Sequence, residues 1–321
     1  MKLSLINKQI LLTPAYFSSL IQREMSHIQS PAFLKVVGAN RIYFCSRAID
    51  EKSGEKHSSR IYYVDFDENF TGISDVSRVA VAQLGDRGAF DQHGTCPISV
   101  VEFQGKILMY YVGWARSRDV PYAANIGLLH STSESGVEFS RFFPGPVISF
   151  DQDEPFLLGS PRVKEFNGIL YMWYVSGKSW NLLNGQPEPT YKIRMATSVD
   201  GHTWQKTGKD LIQNSIDEYE CQAAPEVIPI KEGFLMIYSY RSNSRVNENS
   251  EYQINFAYSK DLLNWATEPI DWTQPKVSVS MRNTSYYNLF RRKGEFQALF
   301  QLEKMGQAGI GIGTLVVDEE K

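Results

Sequence analysis

The sequence is poor in cysteine and histidine, and neither sign of charge dominates. Its three cysteines, Cys45, Cys96 and Cys221, lie far apart and form no Cys-x-x-Cys pair. That argues against a disulfide framework or a thiolate zinc cage and suits reduced thiols. The five histidines show no His-x-x-x-His spacing, and no group of aspartates has the form of a calcium loop. No metal and no other cofactor is therefore expected. With 33 Lys and Arg against 36 Asp and Glu, the net charge is −3, which excludes the basic footprint of a nucleic-acid partner. No apolar run is long enough for a membrane span. Residues Met1 to Pro14 mix Lys2, Asn7, Lys8 and Gln9 among aliphatics, unlike a secretory leader. The expectation is a cytoplasmic protein, with its oligomeric state left open.

What the sequence has is aromatic residues and a repeat. Seventeen Tyr, 18 Phe and six Trp favour strands. One pattern recurs: a small residue, usually Pro, an apolar stretch, a turn and an aromatic-rich strand. It reads Ser30-Pro31-Ala32-Phe33, Cys96-Pro97-Ile98-Ser99, Ser160-Pro161-Arg162-Val163 and Ala224-Pro225-Glu226-Val227. A degenerate fifth copy is Thr284-Ser285-Tyr286-Tyr287-Asn288. The four prolines are spaced by 66, 64 and 64 residues, and Ser285 follows 60 residues later. Such regularity marks a repeat architecture.

Each copy reads as a hairpin with a tight turn, as at Gln104-Gly105, Asn167-Gly168 and Lys293-Gly294. Pro suits the first residue of a strand, where no ladder bond is lost. A third strand follows, seen at Ile126, Ile193 and Ile254, and then an outer one after Asp200-Gly201 and Asp261-Leu262. The pattern predicts an all-β protein: one five-bladed β-propeller domain over residues 1–321, with four-stranded antiparallel blades around a central channel and repeats starting near 30, 96, 160, 224 and 284. The segment Tyr16 to Ser26 reads as a short helix. Gln9 to Thr13 reads as a strand that completes the last blade and covers its edge.

In a propeller the first strand of each blade lines the channel, so the small-Pro positions and the loops before them converge on an axial pocket. Carboxylates there suit glycoside chemistry, one protonating the leaving oxygen and one acting as base or nucleophile. The loops supply Asp91 with His93, Asp151 with Asp153 and Glu154, and Glu218 with Glu220. Arg162 opens an inner strand, and its planar fork suits a carboxylate or phosphate. Arg47, Arg241 and Arg282 could join it in a cationic pocket for an anionic ligand. Trp114, Trp173, Trp180 and Tyr111 are candidate stacking surfaces, with Trp173 better placed to pack between blades.

From about residue 28 to 315, the repeats, with Ser160-Pro161-Arg162-Val163 and its Asn-Gly hairpin, resemble the five-bladed propeller glycosidase superfamily. They look most like the family 130 mannoside phosphorylases and hydrolases, and more distantly like families 43 and 32. In family 130 the third blade reads Asp-Pro-Arg-Val, and the first-blade strand ends in Arg, here Arg47. The resemblance implies a proton-donating Asp where this chain has Ser160, and a hydroxyl cannot do that acid work. Glu220-Cys221 is similar to the Glu-Cys of family 32, whose Glu is the general acid, although Gln222 here replaces Pro. The expected reading is a glycan-active enzyme, a hydrolase, phosphorylase or transferase, with Glu220 as acid and Asp91 as base or nucleophile. Arg162, His93, Asp153, Arg47 and Arg241 are expected to bind a carbohydrate or sugar-phosphate ligand. The alternatives are a non-catalytic propeller that binds an anionic or phosphorylated sugar, and a protein-interaction platform.

Overall fold

The computed structural model describes residues 1–49, 57–245, 252–267, 271–273 and 284–318. The candidate Arg282 lies outside them. The chain opens with β1 (Lys2–Leu12) and the helix α1 (Pro14–Ile21). Hairpin units follow in chain order. The first holds β2 (Ser26–Val36), β3 (Ala39–Ile49), β4 (His57–Phe66) and β5 (Ile73–Val76). The second holds β6 (Gly94–Phe103), β7 (Lys106–Arg116), β8 (Tyr122–Ser131) and β9 (Phe139–Arg141). The third holds β10 (Leu158–Phe166), β11 (Ile169–Leu183), β12 (Gln186–Ser198) and β13 (Gln205–Lys206). Then come β14 (Glu220–Ile230), β15 (Gly233–Ser242) and β16 (Gln253–Ser259), followed by β17 (Asp271–Thr273). The chain ends with β18 (Thr284–Arg292), β19 (Glu295–Leu302) and β20 (Gly309–Asp318).

Within each unit successive strands pair antiparallel. The tight turns arise where the sequence places Gly behind a residue that tolerates positive φ. Gln104-Gly105, Asn167-Gly168 and Lys293-Gly294 each have both φ values between 50° and 85°, the backbone of a two-residue hairpin turn. The first strands pack in sequence, β2 on β6, β6 on β10, β10 on β14, β14 on β18, and β18 back on β2. β1 lies antiparallel beside β20 and covers that sheet edge.

The predicted helix is present but sits earlier, at Pro14–Ile21. Thr13 caps it by accepting the Tyr16 N–H at 3.2 Å, and Pro14 starts it. Gln22 then turns left-handed with φ 55°, which ends the helix before the residues expected to extend it. Phe17, fully buried, packs edge-on against Phe44 at 5.0 Å and Tyr62 at 5.3 Å. Burying such a ring contributes roughly 2–3 kcal/mol.

The repeat prolines are not at strand starts. They lie inside β2, β6, β10 and β14, where the register slips: between Gln29 and Ala32, Pro97 and Ser99, Gly159 and Arg162, and Ala223 and Glu226. β18 slips at the matching place, between Ser285 and Asn288. Pro31, Pro161 and Pro225 fall among the residues left out of the ladder, where a missing N–H costs nothing, while Pro97 keeps Tyr111 as its partner at the edge of its slip.

Candidate functional site

The bulges set the local geometry of the first strands. Ser30, Ser160, Ala224 and Tyr286 take φ values of 54°, 46°, 48° and 53°, a conformation that non-glycine residues adopt at a cost and that clusters at working sites. Each bulge divides its strand into a loop-side end, the mouth, and a deep side that runs on to the hairpin turn.

On the deep side lies Arg162, 1% exposed. Its Nε meets Glu226 Oε2 at 2.7 Å, Nη2 donates to the Tyr287 carbonyl at 2.9 Å, and Nη1 donates to the Ile98 carbonyl. Lys164 Nζ reaches the other Glu226 oxygen at 2.6 Å, and Asn288 Nδ2 donates to Oε2 at 3.3 Å. Arg162 thus joins β10 to β6, β14 and β18, and its fork is filled by the protein itself.

Three of the loop carboxylates, Asp91, Glu154 and Glu220, are sealed from solvent, whereas Asp151, Asp153 and Glu218 are exposed. Asp91, 0% exposed, accepts from the Tyr111 hydroxyl at 2.9 Å and pairs with Arg141 at 2.6 Å. Glu154 repeats the arrangement one unit on, with Tyr174 at 2.8 Å, Arg194 at 3.0 Å and Lys206 at 2.5 Å. Glu220, also 0% exposed, accepts from the Ser215 N–H at 2.6 Å, the Ile216 N–H at 2.9 Å and Gln222 Nε2 at 2.7 Å. Burial, with the neighbouring carboxylate, pushes the Tyr111, Tyr174 and Tyr238 hydroxyls above their ordinary pKa. Asp91 and Glu220 share no partner. Asp153 is exposed in its loop, and its N–H donates to Asp151 Oδ1 at 2.9 Å. These candidates are not brought together.

The mouth holds the others. Arg47, on β3, donates through Nε to Gln29 Oε1 at 3.0 Å. Its charge, after burial, helps lower the His27 pKa to about 4. Next along the rim, Cys96 contacts Cys45 and Ser59, and the Trp114 indole N–H donates to Ser59 Oγ at 2.7 Å. The His93 ring stacks on Trp114 at 6.1 Å, and its Nδ1 accepts the Arg116 N–H at 3.2 Å. Trp114 belongs to an apolar cluster with Tyr122, Trp180, Tyr191, Tyr252, Tyr286 and Met305 that surrounds Ala223 and Ala224. Tyr122 meets Trp180 edge-on at 5.6 Å, and Arg241 lies over the Tyr252 ring at 4.9 Å. The hydroxyls of Tyr191 and Tyr252 are hydrogen-bonded to each other. Burial holds the Tyr191, Tyr252 and Tyr286 hydroxyls well above their ordinary pKa, so they stay neutral.

Arg47, Arg241 and His93 therefore lie at the mouth, whereas Arg162, Asp91, Glu220 and Asp153 do not. Of the stacking candidates, Trp114 and Trp180 are partly exposed there, while Trp173 and Tyr111 are core. The tyrosines are the residues that sequence reasoning missed. Their signal is positional: Tyr191 and Tyr252 each stand two residues before the repeat positions Ile193 and Ile254. Glu188, half-buried, is a further missed residue, and its charge bears on Tyr122. Among the described residues no group of three or more His, Cys, Asp or Glu could hold a metal, and no helix is long and apolar enough to cross a membrane. A separate concavity of about 570 Å³ lies at the hairpin-turn ends, lined by Pro229, Arg291, Phe296 and Val317. It shares no residue with the mouth.

Several solved structures similar to this chain in fold are glycosidases. A glycoside hydrolase superposes with a TM-score of 0.68 at 15% identity, covering 94% of this chain and 95% of that one. A thermostable family-43 glycoside hydrolase gives 0.59 at 16% identity, over 92% and 91%. A glycosyl hydrolase from Bacteroides ovatus gives 0.65 at 15% identity, over 90% and 84%. The fold is that of the propeller glycosidases. No protein-family model matches the chain. The uncharacterised protein Rv1502 of Mycobacterium tuberculosis H37Rv is 30% identical over 280 residues, 86% of this chain and 87% of that protein. The chain belongs to the family of Rv1502.

Proposed function

We propose that the chain is a single five-bladed β-propeller whose axial mouth binds a carbohydrate carrying an acidic or phosphoryl group. The observation that carries this reading is the joining, on one rim, of partly exposed Trp114, Trp180 and Tyr122 with Arg47 and Arg241. Aromatic faces suit the apolar face of a sugar ring, and guanidinium groups suit carboxylate or phosphate oxygens. The five bulged first strands, packed in a closed order, support the blade count.

Acid/base work on a glycosidic bond needs a carboxyl group in reach of the scissile oxygen. The burial of Asp91 and Glu220 behind their own partners favours binding over catalysis by that pair. A second reading, reaction at the glycosidic bond, draws support from Glu188, the half-buried carboxylate near Tyr122. The test is a glycan array carrying neutral, uronic and phosphorylated sugars. Retention of acidic or phosphorylated glycans, lost in Trp180→Ala, is the expected result. Failure to retain any glycan overturns the reading, and a shortened glycan recovered from wild type but not from Glu188→Gln promotes the second.

A further inference from the structure

Two of the three cysteines meet at the mouth. Cys45 on β3 and Cys96 on β6 are unbridged, and their sulfurs stand 2.8 Å apart. They come from different hairpin units, 51 residues apart in sequence. We propose that Cys45 and Cys96 form a redox pair, which a low-molecular-weight disulfide converts to a reversible bond tying the first hairpin unit to the second.

The pair is asymmetric. Cys96 is partly exposed, whereas Cys45 is fully buried. Ser59 Oγ lies 3.6 Å from the Cys96 sulfur and already accepts the Trp114 N–H. Its own hydroxyl proton is therefore available to a thiolate. The Cys45 S–H is the largest influence lowering the Cys96 pKa, and Ser59 and the Arg47 charge add to it. Burial, then Cys96 itself, pushes the Cys45 thiol up. Such a difference separates an attacking thiolate from a resolving thiol. Cys221 has no such environment; burial pushes it up to about 11.

The chemistry balances by exchange. The Cys96 thiolate attacks one sulfur of oxidised glutathione, and a Cys96–glutathione disulfide forms as a glutathione thiolate leaves. The Cys45 sulfur then attacks Cys96 and expels the second glutathione, while the protons given up by Cys96 and Cys45 pass through solvent to the two departing thiolates. Two protein thiols are oxidised and one glutathione disulfide is reduced to two thiols. The new bond also leaves Cys45 with no proton to offer Gln29 Oε1, 3.8 Å away, the oxygen that holds Arg47. That last link to ligand binding rests on the function proposed above, whereas the bond itself does not.

The test uses the full chain, reduced, freed of reductant, incubated with oxidised glutathione, quenched in acid, alkylated and mapped by mass spectrometry. Two of the three thiols should disappear, a peptide pair joined through Cys45 and Cys96 should appear, and dithiothreitol should reverse both. Cys45→Ser should hold one glutathione on Cys96. Cys96→Ser, which keeps the buried sulfur, should leave Cys45 and Cys221 unmodified. Three alkylatable thiols after oxidation, or a wild-type chain that keeps glutathione on Cys96 with Cys45 free, overturns the proposal. So does modification of Cys45 in Cys96→Ser.

Discussion

Arg162 and Glu226 meet at 2.7 Å with 1% and 0% of their side chains exposed. Arg162 reads as a ligand-binding residue in the sequence, and in the structure it is half of a tie between strands. Removing Glu226 strands the buried Arg162, at about 3–5 kcal/mol, whereas removing Arg162 leaves Glu226 with Lys164. Glu226→Gln should lower the unfolding free energy by that amount and Arg162→Met by less, both read as a lower urea midpoint. Arg162→Met with Glu226→Leu should recover most of the loss. Equal losses in the single and double variants would contradict the tie.

Asp91 with Tyr111 and Arg141 makes a second kind of tie, and Glu154 with Tyr174 and Arg194 repeats it. Tyr111→Phe should cost about 1 kcal/mol, and Asp91→Asn about 2–3 kcal/mol because Arg141 loses its counter-charge. Both should show in thermal melts, with glycan retention kept. A stable Asp91→Asn that loses function would instead give Asp91 a direct part in the chemistry.

Gly94 stands where a Cβ would collide with the Trp114 indole nitrogen and Ser59 Oγ. Gly94→Ala should cost about 1–3 kcal/mol by overpacking. It should also displace Trp114, read as a shift in tryptophan emission. An unchanged spectrum and stability would show that the rim yields freely there.

Burial first, then the charges of Arg47 and His57, lowers the His27 pKa to about 4. The unfolded chain takes up this proton near the ordinary pKa of 6.5, before the folded protein does. His27 therefore weakens the fold as pH falls from about 6.5 to about 4, and has no effect above that window. Imidazole NMR titration should place the His27 midpoint near 4, and Arg47→Gln should raise it. A midpoint near 6.5 in the wild type would contradict the assignment.

The architecture was legible because repeats are local. Each Pro, each turn glycine and each aromatic strand could be read from its own neighbours. The bulges were not, since a slip of register depends on the facing strand, and so the prolines were placed at strand starts instead of inside them. The site was legible only in part. Arg47, Arg241, Trp114 and Trp180 follow from repeat position. For Asp91, Glu220 and Arg162 the deciding facts were the partners, Arg141, Ser215 and Glu226, and two of those three partners lie dozens of residues away. A carboxylate in a loop reads the same whether it faces a sugar or a buried arginine.

The most direct test of the central claim is calorimetric titration of one sugar phosphate and its neutral parent into wild type and Arg47→Gln/Arg241→Gln. The account predicts that the wild type prefers the phosphorylated sugar and that the variant loses at least about tenfold in affinity for it, roughly 1.4 kcal/mol. Affinity for the neutral parent should change little. Equal affinity of wild type and variant for the phosphorylated sugar would contradict an anionic-sugar site at the axial mouth.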